Sequence, residues 1–150
     1  MLINCSNHPS AQWGSAQLAA AEEFGGVVDL PFPQVDPRMG PEELRALTGA
    51  YAEKIEAMKP AAVFAAGEFT FLFMLVDRLL SDGIRVVCGC SRRDAVETRR
   101  ADGSSEKTSV FVFERFRDYQ YYAGTGRSAG AGAGSLAGRK DGRERTPAEE

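Results

Sequence analysis

The chain carries a single histidine, His8, placed directly after the short apolar run Leu2-Ile3-Asn4-Cys5. An imidazole titrates near neutrality, so it can give or take a proton in a reaction at physiological pH. It also reads as a residue that only hydrogen-bonds its own loop. Beside it, Ser6 and Asn7 supply donors and acceptors suited to a phosphate, a ribose or a base edge. The same pair can close an Asx or Ser turn and do nothing more. Further along, Gly67-Glu68-Phe69-Thr70 places a glycine turn ahead of a helical pattern. Such a turn exposes backbone N–H groups and the positive end of a helix dipole, which favours anions. No complete phosphate-loop or GxGxxG motif accompanies it, and Glu68 would oppose a phosphate held too closely. Glu68 then bonds ribose hydroxyls or caps Thr70. Ser91-Arg92-Arg93 adds positive charge, and guanidinium forks bind phosphate and stabilise charge that develops in a transition state. The competing reading matches the two arginines to Asp94 and Glu97.

Cys88-x-Cys90, with Cys5 and His8, offers thiolate and imidazole ligands of the kind zinc takes. Cys5 and Cys88 lie in apolar strand runs, however, where a free cysteine behaves as a small hydrophobe. Core cysteines are therefore the expectation, with no metal and no other cofactor. Trp13 and Phe32 could stack on a base, but packing explains them more simply.

The elements that position these residues follow a regular order. Leu2 to Cys5 reads as a strand, and Ser15 opens a helix that Gly25-Gly26 stops near Phe24. Val27 to Leu30 is a second strand, ended by Pro31-Phe32-Pro33 because proline lacks the ladder donor. Pro41, Glu42 and Glu43 suit a first helical turn, and Leu44, Leu47, Tyr51, Ile55 and Met58 continue as one apolar stripe. Ala61 to Ala65 is a third strand, Phe69 to Leu80 a helix tucked against the sheet, and Ile84 to Cys88 a fourth strand. This alternation predicts a Rossmann-like α/β fold, an open parallel sheet of order 2-1-3-4 with helices on both faces. Ala95 to Arg100 and Ser109 to Phe116 then alternate with a period of two about the loop 101–106, which predicts a C-terminal β-hairpin.

In an open parallel sheet, ligands bind beyond the carboxyl ends of the strands. That rule gathers Ser6-Asn7-His8, Pro31 to Asp36, Gly67 to Thr70 and Ser91 to Arg93 into one neighbourhood.

Composition narrows the classes further. The net charge is −3, from 18 basic and 21 acidic residues, which gives no support to a general DNA or RNA binder. The longest apolar-looking run, Phe69 to Leu80, is broken by Thr70, Asp77 and Arg78 and falls short of the roughly 20 residues a bilayer requires. The start lacks the pattern of a signal peptide, and three cysteines do not close a disulfide framework. A cytoplasmic protein with no membrane attachment is expected. The Gly/Ala-rich and charged stretch 121–150 cannot bury enough apolar surface to offset its ordering entropy, so one domain over 1–120 with a disordered tail is expected.

The assembled pattern resembles small Rossmann-like CRISPR-associated proteins, the group of ring nucleases and CARF-related sensors. The residues that carry it are Ser6-Asn7-His8-Pro9, Asp29-Leu30-Pro31-Phe32-Pro33, Gly67-Glu68-Phe69-Thr70 and Ser91-Arg92-Arg93. The resemblance implies binding of a cyclic oligoadenylate second messenger across a homodimer interface in type III CRISPR antiviral signalling. It also implies, for some relatives, metal-independent cleavage by attack of a ribose 2′-hydroxyl on the adjacent phosphate. Carried to this chain, Ser6 and Asn7 position the ring, with Gly67, Glu68, Thr70, Ser91 and Arg92 as further ligand contacts. His8 is then general acid or base, and Arg93 or Arg92 stabilises the phosphorane. Cys88-Gly89-Cys90-Ser91 departs from the Ser/Thr-rich stretch of similar proteins, which bears on catalysis more than on binding. Two other classes stay open: a non-catalytic module that dimerises or binds a partner through the Phe111/Phe113 hairpin, and a small-molecule phosphate-ester enzyme on the same fold.

Overall fold

A computed structural model describes residues 1–99 and 104–122. Its elements in chain order are β1 (Leu2–Ser6), α1 (Ser15–Glu22), β2 (Val27–Asp29), α2 (Pro41–Ala57), β3 (Ala62–Ala66), α3 (Phe69–Ser81), β4 (Val86–Arg99) and β5 (Ser105–Asp118), with a 3-10 turn at Ser10–Gln12. One five-stranded sheet runs in the order β2-β1-β3-β4-β5. The first four strands are parallel, and β5 returns antiparallel to β4. This is the Rossmann-like α/β sheet with a C-terminal hairpin that the element order predicts.

Alternate residues of the central strands feed two layers of core, as a period of two requires. Ile3, Cys5, Val63, Ala65 and Val86 pack with Ile55 of α2 and Phe71, Leu75 and Leu79 of α3. Leu2, Ala62, Phe64 and Val87 face the other way and pack with Trp13 and Ala21. Helices thus cover both faces. Gly25 and Gly26 both take φ 85°, a left-handed pair that turns the chain from α1 into β2 at little steric cost.

Three local expectations are corrected. The fourth strand does not stop at Cys88: β4 leaves β3 after the Phe64↔Val87 pair and continues unbroken to Arg99. Antiparallel pairing with β5 carries it on, so Ala95 begins no separate strand. Likewise β5 begins at Ser105, inside the stretch expected as a loop; the rest of that loop, 100–103, lies outside the described residues, as does the tail 123–150. Finally, α3 does not tuck its whole apolar surface away. Phe69 and Phe73, one turn apart, stand exposed. Among the described residues no helix is long and apolar enough to cross a membrane.

Candidate functional site

The carboxyl ends of β1 and β2 are locked together by a polar network centred on Asn4, a residue with 1% exposure inside an otherwise apolar strand. Its amide nitrogen donates to the Asp29 carboxylate at 2.6 Å and to the His8 carbonyl at 2.8 Å. Its amide oxygen accepts the Ser6 hydroxyl at 2.7 Å. Ser6 in turn accepts the His8 backbone N–H at 3.2 Å, and the Trp13 indole donates to the His8 carbonyl at 3.1 Å. Every hydrogen-bonding atom of the Asn4 amide is used, which is what burial of an amide demands.

Asp29 closes the network from β2. It accepts the Ser10 backbone N–H at 3.0 Å and the Ser10 hydroxyl at 2.9 Å, in addition to Asn4. Burial pushes this carboxyl up, but the bonds from Asn4 and from the Ser10 backbone and hydroxyl outweigh it and hold it below the usual aspartate range. The network therefore presents an exposed, ionised carboxylate in the lining of a cleft. That cleft, about 400 Å³, is lined by Asn4, Ser6, Asn7 and Pro9 on one side and by Asp29 to Phe32 on the other.

The structure places the predicted residues unequally with respect to this cleft. Ser6 and Asn7 line it, Ser6 buried and Asn7 exposed. His8 is pinned through its backbone, and its exposed imidazole makes no hydrogen bond among the described residues. Gly67 sits just past the end of β3 under the ring of Phe32; a Cβ there would run into that ring. Phe32 in turn meets Phe71 edge-on at 5.2 Å. The glycine is thus required by aromatic packing at the strand end. Glu68 caps α3: its carboxylate accepts the Thr70 and Phe71 backbone N–H groups at 3.1 and 2.9 Å and the Thr70 hydroxyl at 2.8 Å. The Phe71 and Thr70 bonds draw that carboxyl down from its ordinary value. Of the two readings open for Glu68, capping is the one with contacts here. The anion-favouring end of α3 already holds the chain's own anion.

Ser91, Arg92 and Arg93 do not follow the end of a strand. They lie within β4, paired with Phe113, Val112 and Phe111. Continuing the β3–β4 register, Gly89 is level with the last residue of β3, and Arg93 stands roughly 13 Å beyond it. Arg92 is engaged by Asp94 at 3.0 Å and by Glu114, and these partners raise its pKa, Asp94 foremost. The expected match of an arginine to Asp94 is thus met by Arg92. Arg93, exposed, makes no hydrogen bond or ion pair among the described residues.

Cys5 is buried, and desolvation pushes its thiol up to about 12. Cys88 and Cys90 are half-buried on β4, and burial raises Cys88 as well. No three His, Cys, Asp or Glu side chains among the described residues come together as a metal site. Trp13 and Phe32 both pack in the protein: the tryptophan ring meets Phe64 edge-on at 5.3 Å.

Sequence reasoning missed Asn4 and Ser10 as members of the site. A lone amide inside a four-residue apolar strand was the available signal, because a buried amide needs partners from another segment.

The fold and site define a Rossmann-like α/β protein with a polar cleft at the carboxyl edge of its parallel sheet and a long hairpin rising beside it. The chain belongs to the Uncharacterized protein MJ1673 family, whose model matches residues 1–117. Neither a curated protein nor a solved structure matches it at a significant level.

Proposed function

We propose that the chain binds a cyclic oligoadenylate along the carboxyl edge of its sheet, in the cytoplasm, as part of type III CRISPR antiviral signalling. One observation carries the reading. The strand ends present a cleft with an ionised carboxylate and exposed polar groups, and the hairpin that carries Arg92, Arg93, Arg115 and Arg117 extends past the same edge. Carboxylate and amide groups suit the ribose hydroxyls and base amines of such a ligand, while guanidinium groups suit its phosphodiesters. Ring cleavage, where it occurs, uses the unengaged His8 imidazole as general acid or base and Arg93 to stabilise the phosphorane. Alignment of an internal 2′-hydroxyl with its phosphate supplies much of the rate, so few catalytic groups are needed. The ligand is shared between two copies of the chain.

A second reading has its own support. Phe111 is 71% exposed and Val110 47% exposed on the hairpin, as an interaction module that pairs with a partner would require.

The test is a binding and cleavage assay of the full chain with cyclic oligoadenylates of several ring sizes, with EDTA present. Tight binding is expected, with a linear product if the chain is a ring nuclease. His8→Ala should then abolish turnover and leave binding intact. Arg93→Ala should weaken binding about tenfold or more if it makes a charge-assisted bond. Absence of binding at every ring size would discard the reading in favour of the interaction module.

A further inference from the structure

A second cavity, about 450 Å³, lies on the hairpin and is lined by Cys90, Ser91, Arg92, Glu114, Arg115 and Arg117. The register explains why these residues share it. Cys88 pairs with Arg117 and Cys90 with Arg115, so all four occupy one face of the β4–β5 ladder. A bulge at Cys90/Ser91 leaves Glu114 unpaired and shifts the outer hairpin by one residue. Gly89, on the opposite face, lies against Phe64, and that face is packed with aromatic rings. Cys88, Cys90, Arg115 and Arg117 thereby face the cavity side, away from those rings.

The charges on that side are not evenly spent. Arg92 is paired with both Asp94 and Glu114, which also accounts for the cavity's own carboxylate. Arg85 is paired with Asp118. Arg115 and Arg117 are exposed and have no ion pair or hydrogen bond among the described residues. Two residues apart on one strand, their Cβ atoms lie about 7 Å from each other, so two guanidinium forks can close on one tetrahedral anion. In a chain of net negative charge, two uncompensated guanidinium groups on one cavity wall are conspicuous.

We infer that Arg115 and Arg117 form a binding site for a phosphate ester on the hairpin. The cavity is larger than a phosphate group, so it also accommodates part of the attached nucleoside or sugar. The inference deepens the proposed function, on which it rests for the cyclic ligand, by adding a phosphate contact on β5 to that of Arg93, while Arg92 is already engaged. The anion site itself rests on the cavity alone.

The experiment follows the arginine Nε–Hε resonances of the full chain during titration with inorganic pyrophosphate at constant ionic strength. In parallel, calorimetry measures cyclic tetra-adenylate binding to wild type, Arg115→Ala, Arg117→Ala and Arg117→Lys. Saturable shifts at Arg115 and Arg117, absent at the ion-paired Arg38 and Arg45, are expected. The alanine variants should lose about 10- to 100-fold in affinity for the cyclic ligand, and the lysine variant less, since it keeps the charge and loses the fork. Unshifted Arg115 and Arg117 signals, or equal shifts at Arg38 and Arg45, would overturn the site. Pyrophosphate bound at these two arginines with no cyclic ligand bound would keep the site and remove the cyclic oligoadenylate reading. Cyclic ligand bound equally by all four proteins would keep that reading and remove this site from it.

Discussion

At the residue scale, Asn4 decides how the strand ends are held. Its amide satisfies Asp29, Ser6 and the His8 carbonyl at once, and it does so from a fully buried position. Asn4→Ala removes three hydrogen bonds, one of them to the buried Ser6, and should cost about 2–3 kcal/mol in a urea denaturation experiment. Asn4→Asp would place a second carboxylate against Asp29 and should cost more. Asp29 adds a pH signature. Its folded-state pKa is depressed, so the stability it contributes is present above the unfolded aspartate value, about 3.9, and is lost as pH falls through the lower folded value. The stability gap between wild type and Asp29→Asn should therefore be open at pH 7 and shrink below about pH 4. A gap that stays constant across that range would show that the carboxylate charge contributes nothing.

At the element scale, the join between β3 and α3 is set by two local fits. Gly67 lies beneath Phe32, and Glu68 caps the helix from the position just before its first turn. Gly67→Ala should destabilise the protein by about 1–3 kcal/mol, because an added methyl must displace an aromatic ring. Combined with Phe32→Ala, the same change should cost far less than the sum of the single costs, as expected for residues that share one space. Additive costs in thermal unfolding would break that link. These joins mark where sequence was informative and where it was not. The short apolar runs Leu2 to Cys5 and Ala61 to Ala65, alternating with helical patterns such as the stripe from Leu44 to Met58, made the parallel sheet and its order legible, because such strands need helices on both faces. The end of β4 was illegible, since Gly89 and the polar run from Ser91 imitate a strand terminus. Only pairing with β5 keeps that segment extended. The site was half legible. Ser6, Asn7 and His8 announce themselves by type and position, whereas Arg115 and Arg117 look like the polar half of an ordinary alternating strand.

At the scale of the whole molecule, the chain divides into a covered sheet and an overhanging ribbon. The strands β1 and β3 are buried throughout almost their whole length, while the described part of β4 beyond Gly89 has only β5 beside it. A two-stranded ribbon is marginal in water without further cover. Backbone amides of Asp94 to Arg99 that bond across to β5 should thus exchange with deuterium orders of magnitude faster than those of Leu2 to Ser6. Ligand or a second copy seated on the ribbon should slow them, and equal protection in the free monomer would mean that the ribbon is held by something else. The lone tryptophan bears on the same question from the base of the hairpin, where its ring meets Phe116 of β5. Trp13 is 8% exposed, its indole N–H is bonded to the His8 carbonyl, and its ring rests on Phe64 in the wall of the sheet. The protein thus carries its own optical reporter. With no competing indole, emission colour and lifetime become a readout of whether the histidine loop has shifted, in unlabelled protein and on the millisecond scale of a mixing experiment.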